Sequence, residues 1–326
     1  METITSRIDA VTEIPPEYRN PVCPPPKSIK WELVGNACNY ACSYCAIERG
    51  KKQLMDLELF KRASKEALDF GVEECGLFFV GESCLEPKLL VDALKWAKRI
   101  GYPYVFLTTN GSLCNPLLSG ELMSHGLDSL KFSINASGPA QFKQLMRVKP
   151  KLFEDALNNL RAAHTQRNAM GYKTRIYASS IEMFDGDANK EEMDALLKER
   201  VLPFVDQHYT LPCFESMQIK NSDRNAALGI KVTAGNPGRA GNMRNPADGC
   251  WSVFREGHVR ANGGVSACCF ASDGTFDMGG LTEQSFGAAW NSKPFQALRA
   301  AHLSGKGVRG TVCESCIHGT KAISFV

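Results

Sequence analysis

With 326 residues and 44% apolar side chains, the chain can bury a sizeable core in one or two domains, and a net charge of +3 offers no basic field for a nucleic-acid partner. No run approaches the roughly eighteen apolar residues of a membrane helix, and Met1-Glu-Thr-Ile-Thr-Ser-Arg lacks the apolar core of a signal peptide. Thirteen cysteines, an odd number without a secretion signal, do not suit an extracellular disulfide framework; they suit metal ligation in a soluble cytoplasmic protein.

Residues 1–27 carry Pro15-Pro16, Pro21 and Pro24-Pro25-Pro26 and read as an extended lead-in. An apolar run from Ile29 to Val34 leads into the loop Cys38-Asn-Tyr-Ala-Cys42-Ser-Tyr-Cys45. A helix is predicted from Asp56, with Phe60, Ala63 and Ala67 on one face and Gly71 as its stop. The run Cys75–Val80 reads as a buried strand. A second helix follows through Leu90, Ala93, Leu94 and Ala97 to Gly101. Tyr104–Leu107, Leu130–Ile134, Arg175–Ile181 and Leu202–Val205 read as further strands, with intervening helices that include one capped near Asp187. Six strands alternating with helices predict parallel β/α units over residues 28–210, a count that suits either a barrel or an open sheet.

Three cysteines within eight residues, spaced C-x3-C-x2-C, can each hold one iron of a 4Fe–4S cubane and leave the fourth iron open. A structural zinc site would want four closed ligands, usually as two separated pairs. Polar residues gather where the predicted strands end, which is where parallel sheets bind ligands. Gly81-Glu82 follows Phe79-Val80, and Asn110-Gly111 follows Leu107. The period of two puts Ser133 and Asn135 on one face with Lys131, opposite Leu130, Phe132 and Ile134. Ser179 and Ser180 stand on the next strand.

The cysteine run resembles the signature of the radical S-adenosylmethionine (SAM) enzymes. That resemblance implies an α/β fold, a partial (β/α)6 TIM-like barrel, with SAM chelated to the open iron of the cluster on Cys38, Cys42 and Cys45. It also implies that Gly81 and Glu82 receive the SAM ammonium, with Val80 replacing the usual preceding glycine. Tyr44 would lie against the adenine, Ser133 and Asn135 would hold the ribose hydroxyls or the carboxylate unless they cap the following helix, and Ser179 and Asn110 are further cofactor-binding candidates. Arg147 is a further candidate for the SAM carboxylate.

Residues 211–249 are rich in Gly, Asn and Pro and read as a connector. Beyond it, Cys250, the pair Cys268-Cys269, and Cys313-Glu-Ser-Cys316 suit a second metal site, either zinc or a 4Fe–4S cluster. Gly263-x4-Cys268, Gly279-Gly-Leu281, Ala289-Trp290-Asn291 and Leu298-Arg299 resemble the C-terminal extension of SPASM and twitch radical-SAM proteins over residues 250–326. With ten residues after Cys316, one auxiliary cluster is expected, on Cys250, Cys268, Cys313 and Cys316, with Cys269 spared.

The resemblance spans about residues 28 to 320 and implies an oxidoreductase. The SAM-derived radical would take a hydrogen from a small polar molecule, such as a sugar or cyclitol alcohol, and the auxiliary cluster would accept an electron to give a ketone. A flavodoxin or ferredoxin would be the reductant. Asp206 and His208, near the end of the last predicted strand, and Cys213 just beyond it are candidates for proton or hydrogen transfer to substrate. Epimerisation or modification of a peptide is the alternative within the family. A zinc-stapled binding protein is the alternative outside it.

Overall fold

The computed structural model describes residues 3–183, 187–213, 227–230, 249–269, 273–305 and 307–318. Strand β1 (Ser28–Trp31) precedes a small ribbon of β2 (Val34–Gly35) and β3 (Gln53–Leu54). Then come β4 (Glu74–Gly76), β5 (Tyr104–Thr109), β6 (Ser129–Ser133), β7 (Arg175–Glu182) and β8 (Gln207–Pro212). In the order β1-β4-β5-β6-β7-β8 these strands pair side by side, each parallel to its neighbour. This is the partial (β/α)6 barrel expected from the resemblance.

Helix α1 (Ile4–Thr12) comes before the first strand, and α2 (Leu57–Phe70), α3 (Pro87–Ile100), α4 (Pro116–Ser124), α5 (Pro139–Met146), α6 (Lys151–Met170) and α7 (Asp187–Leu196) lie between strands. Their ends follow from local chemistry. The Asp56 side chain accepts from the Leu59 amide at the start of α2, and left-handed Gly71 stops it. In α3, Pro87 sits in the first turn and left-handed Gly101 ends the helix. Both helices bury one stripe, Phe60, Ala63 and Ala67 in α2 and Leu90, Ala93, Leu94 and Ala97 in α3. Along β6, Leu130 and Phe132 are fully buried towards the helices, whereas Lys131 and Ser133 turn into the barrel.

The C-terminal segment extends the same sheet. Strand β9 (Glu256–Val259) runs parallel to β1 with Ser28 opposite Glu256, and β10 (Gly264–Ser266) and β11 (Asp277–Gly280) continue antiparallel. Its helices fasten to the proline-rich lead-in. The Trp290 indole donates to the Pro24 carbonyl at 2.9 Å, and Asn291 bonds both the amide and the carbonyl of Cys23. Arg299 is completely buried, donates to the Val253 and Pro21 carbonyls, and lies over the Trp290 ring. The prolines therefore form a seam.

Three expectations need correction. The lead-in contains α1, capped by reciprocal Thr3 and Ser6 hydrogen bonds, with Ile4, Ile8 and Val11 facing the inside of the barrel. The strand over 75–80 ends at Gly76, because the chain turns towards the left-handed Gly81. Leu202–Phe204 is a short 3-10 helix around Pro203, and the last strand begins at Gln207. Of the expected connector, Leu211 and Pro212 belong to β8, while 214–226 and 231–248 lie outside the described residues. Among the described residues, no helix is long and apolar enough to cross a membrane.

Candidate functional site

The cysteine loop follows the ribbon strand β2 and is held by its backbone. The Ala41 amide donates to the Met146 carbonyl at 3.0 Å and the Ser43 amide to the Leu145 carbonyl at 2.8 Å, so the end of α5 anchors the loop. Arg49 ties the Cys38 and Tyr40 carbonyls together from the other side. None of the thirteen cysteines forms a disulfide. Cys38, Cys42 and Cys45 share one wall of a cavity of about 310 Å³ above the C-terminal ends of the strands. Burial raises all three thiols, Cys38 to about 12, and for Cys42 the neighbouring Cys45 and Cys38 add to the rise. Thiols that oppose each other's ionisation in this way need a cation to become thiolates together, and the iron of a cluster would fit that need.

The opposite wall brings together most of the strand-end residues. Gly81 has φ +107°, and a Cβ there would stand 2.5 Å from the Val34 carbonyl oxygen, so only glycine fits this approach to the cysteine loop. Next to it the Glu82 amide donates to the Ala37 carbonyl at 3.2 Å. The Glu82 carboxylate is buried and fixed. One oxygen accepts from the Cys84 amide and the Thr109 hydroxyl, and the other from the Asn110 amide. Burial raises its pKa. Asn135 bridges two elements, accepting from the Ile181 amide at 3.0 Å and donating to the Tyr44 hydroxyl at 2.8 Å. Ser133 and Ser179, register partners on β6 and β7, line the same cavity.

Other candidates stand elsewhere. Asn110 lines the cavity, but its amide donates to the Asn39 side chain and lies 3.8 Å from the Cys38 sulfur, which makes it a brace for the cysteine loop. Arg147 is exposed and donates to the Ala41 carbonyl, away from the cavity. Asp206 precedes β8, at the opposite end of the strands from the cysteines, and bonds Arg167 at 2.5 Å and the Ile176 amide at 2.7 Å. His208 faces out of the barrel. It donates to the Ser180 hydroxyl, which itself donates to Ile134, and burial lowers the His208 pKa and keeps it neutral. Cys213 is buried past β8 but does not line the cavity. The expected placement of Asp206 and His208 at the barrel mouth fails because the strand starts later than the apolar run suggested.

Several contributors were not foreseen. Met146 lies 3.1 Å from the Cys42 sulfur, and the Tyr40 hydroxyl donates to the Leu152 carbonyl at 3.1 Å, locking the loop against α6. Cys269 lines the same cavity. Contact with the Cys268 thiol, and then with His258, pulls its thiol down to about 5 despite burial. In the C-terminal segment the Cys313 thiol is buried and is raised by burial and by the nearby Cys250 and Cys316 thiols.

Residues 33–177 match the Radical SAM superfamily, and residues 250–317 match the SPASM iron–sulfur cluster-binding domain. A probable GTP 3′,8-cyclase of Saccharolobus solfataricus is 31% identical over 130 residues, 39% of this chain and 41% of that protein. The chain thus spans about two fifths of the length of the curated relatives it matches. Among solved structures, Streptococcus suis SuiB bound to precursor peptide SuiA superposes with a TM-score of 0.61 at 13% identity, covering 83% of this chain and 66% of SuiB. Native anSMEcpe with bound AdoMet and Cp18Cys peptide gives 0.59 at 15% identity, covering 85% of this chain and 83% of the other. These two structures hold peptides, and the expectation of a small-molecule substrate is withdrawn on that ground.

Proposed function

Because this chain belongs to the radical SAM superfamily and carries a C-terminal SPASM iron–sulfur domain, we propose that it cleaves SAM reductively and uses the resulting 5′-deoxyadenosyl radical to oxidise a peptide. The observation that carries this reading is the meeting of Cys38, Cys42 and Cys45 with Gly81, Glu82, Ser133, Asn135 and Ser179 around one cavity. The three cysteines hold the SAM-binding cluster. The fixed Glu82 carboxylate, whose Oε2 keeps a lone pair beyond the Asn110 amide, accepts from the SAM ammonium. Ser133, Asn135 and Ser179 hold its ribose and carboxylate, and Tyr44 flanks the adenine. Cys250, Cys268, Cys313 and Cys316 hold an auxiliary 4Fe–4S cluster that would serve as electron acceptor, with Cys269 spared. On this reading residues 28–210 are the SAM-cleaving unit and residues from 250 the auxiliary unit. The peptide is supported by the occupants of the two similar structures, and a reducing cytoplasm by thirteen cysteines without a disulfide.

The test is anaerobic reconstitution with iron and sulfide, reduction with dithionite, and addition of SAM with an arrayed library of short peptides. The expected result is 5′-deoxyadenosine together with a peptide lighter by two hydrogens. SAM cleavage with no modified peptide in any pool would leave the SAM chemistry standing and reject the peptide.

Asn135 gives a separate check on the SAM pocket. Asn135→Ala removes the bridge between β7 and the Tyr44 hydroxyl, a loss of about 1–3 kcal/mol, or roughly five- to a hundredfold in SAM affinity. The iron content should stay at the wild-type level, because the loop carrying the thiols keeps its backbone bonds to α5. Equilibrium dialysis with labelled SAM measures it, and an unchanged affinity would restrict Asn135 to bracing the sheet.

A further inference from the structure

Below the SAM cavity lies a second chamber of about 270 Å³, lined on one side by Ile4, Ile8 and Val11 of α1. The two cavities share Lys131, Phe79, Leu211 and Cys269 among their walls, so Lys131 stands at the boundary between them. The charged side chains lining the chamber are Arg7, Lys30, Lys131, Glu74 and Glu256. Glu74 is paired with Arg7 at 2.7 Å, and Glu256 with Lys30 at 2.8 Å. Cys269 has His258 as its neighbour. Lys131 has no carboxylate among the described residues. Its ammonium donates to the Tyr209 hydroxyl at 2.7 Å and lies 5.3 Å from the centre of that ring. Tyr209 is itself buried. A half-buried ammonium whose charged neighbours are already paired, and whose own hydrogen-bond partner is a phenol, is short of one negative charge. The phenol, accepting from Lys131, keeps its own proton to donate. The pair thus offers two donors side by side, which match the two oxygens of a carboxylate.

We infer that Lys131 and Tyr209 form a carboxylate-binding subsite, and that the peptide oxidised by this enzyme presents an aspartate or glutamate side chain to it. The inference rests on the peptide reading above. It places the acidic residue next to the SAM cavity, where binding energy at Lys131 would fix the position of the neighbouring carbon to be attacked.

Isothermal titration of the holoenzyme with both clusters and SAM bound tests this with three probes. N-acetyl-glutamate N-methylamide carries the peptide unit and the acid, N-acetyl-glutamine N-methylamide has the same shape without the charge, and glutarate has the acid without the peptide unit. The glutamate probe should bind about tenfold or more tighter than the glutamine probe. Lys131→Met should bring that ratio to about one, and Lys131→Arg should keep it, with iron content and melting temperature confirming that both variants fold. Glutarate binding as tightly as the glutamate probe would support the subsite and reject the peptide. Equal binding of the glutamate and glutamine probes to the wild-type enzyme, or no binding of either, overturns the proposal without recourse to a variant. So does a Lys131→Met variant that loses SAM affinity while its glutamate preference persists, since Lys131 would then belong to the SAM carboxylate.

Discussion

Alanine at Cys38, Cys42 and Cys45 together is expected to cut the iron of the reconstituted protein from about eight to about four per chain and to abolish 5′-deoxyadenosine formation. The variant should still fold. The loop is held by the Ala41 and Ser43 amides on α5 and by Arg49 on the Cys38 and Tyr40 carbonyls, none of which needs a thiol. Replacing three half-buried thiols whose ionisation is opposed by desolvation removes no ion pair from the apoprotein. The remaining iron should sit with Cys250, Cys268, Cys313 and Cys316. Iron analysis with chromatography of the nucleoside products under dithionite measures both effects at once. A triple variant that still makes 5′-deoxyadenosine would show that the open cluster lies elsewhere, and one that loses all its iron would show that the two sites do not load independently.

The parts of this site legible in the sequence are those set by neighbours along the chain. Cys38, Cys42 and Cys45 lie within eight residues, and the alternation that puts Lys131, Ser133 and Asn135 on one face needs only the period of a strand. The helices were readable for the same reason, since Asp56, Gly71 and Gly101 act on the adjacent turn. Where an apolar run was mistaken for a strand, the error carried further. Leu202-Pro203-Phe204 is a helical turn, so Asp206 falls at the start of β8, and His208 takes the outer face while Tyr209 takes the inner one. An offset of one residue in a strand exchanges its faces. Helix α1 was hidden by the prolines that follow it, although Thr3 and Ser6 form its capping box and Ile4, Ile8 and Val11 have helical spacing. Cys269 reaches the cavity only because β9 joins the sheet beside β1, more than two hundred residues away in sequence. No local pattern carries that pairing.

Gly81→Ala should be the most damaging single substitution near the site that removes no cofactor ligand. The residue has φ +107°, and an added Cβ would stand 2.5 Å from the Val34 carbonyl oxygen and 2.9 Å from that of Ala37. Both obstacles are backbone, so neither can rotate aside as a side chain would. Relief requires moving either the Glu82 segment or the Ala37 segment. The first breaks the Glu82 amide bond to Ala37 and pulls the carboxylate from Thr109 and Asn110; the second shifts the residue that precedes Cys38. The left-handed conformation adds its own penalty for a residue with a Cβ. Together these should cost more than about 3 kcal/mol, seen as a melting temperature lower by roughly 5–10 °C. SAM affinity should fall at least as far as in Asn135→Ala, because the carboxylate and the cysteine loop are displaced relative to each other. Gly50→Ala is the control. A Cβ there meets nothing within 4 Å, so the same glycine-to-alanine exchange a few residues past Cys45 should leave melting and SAM binding as they are. If Gly81→Ala also melted and bound SAM like the wild type, the contact between this turn and the cysteine loop could not be what sets the geometry of the site.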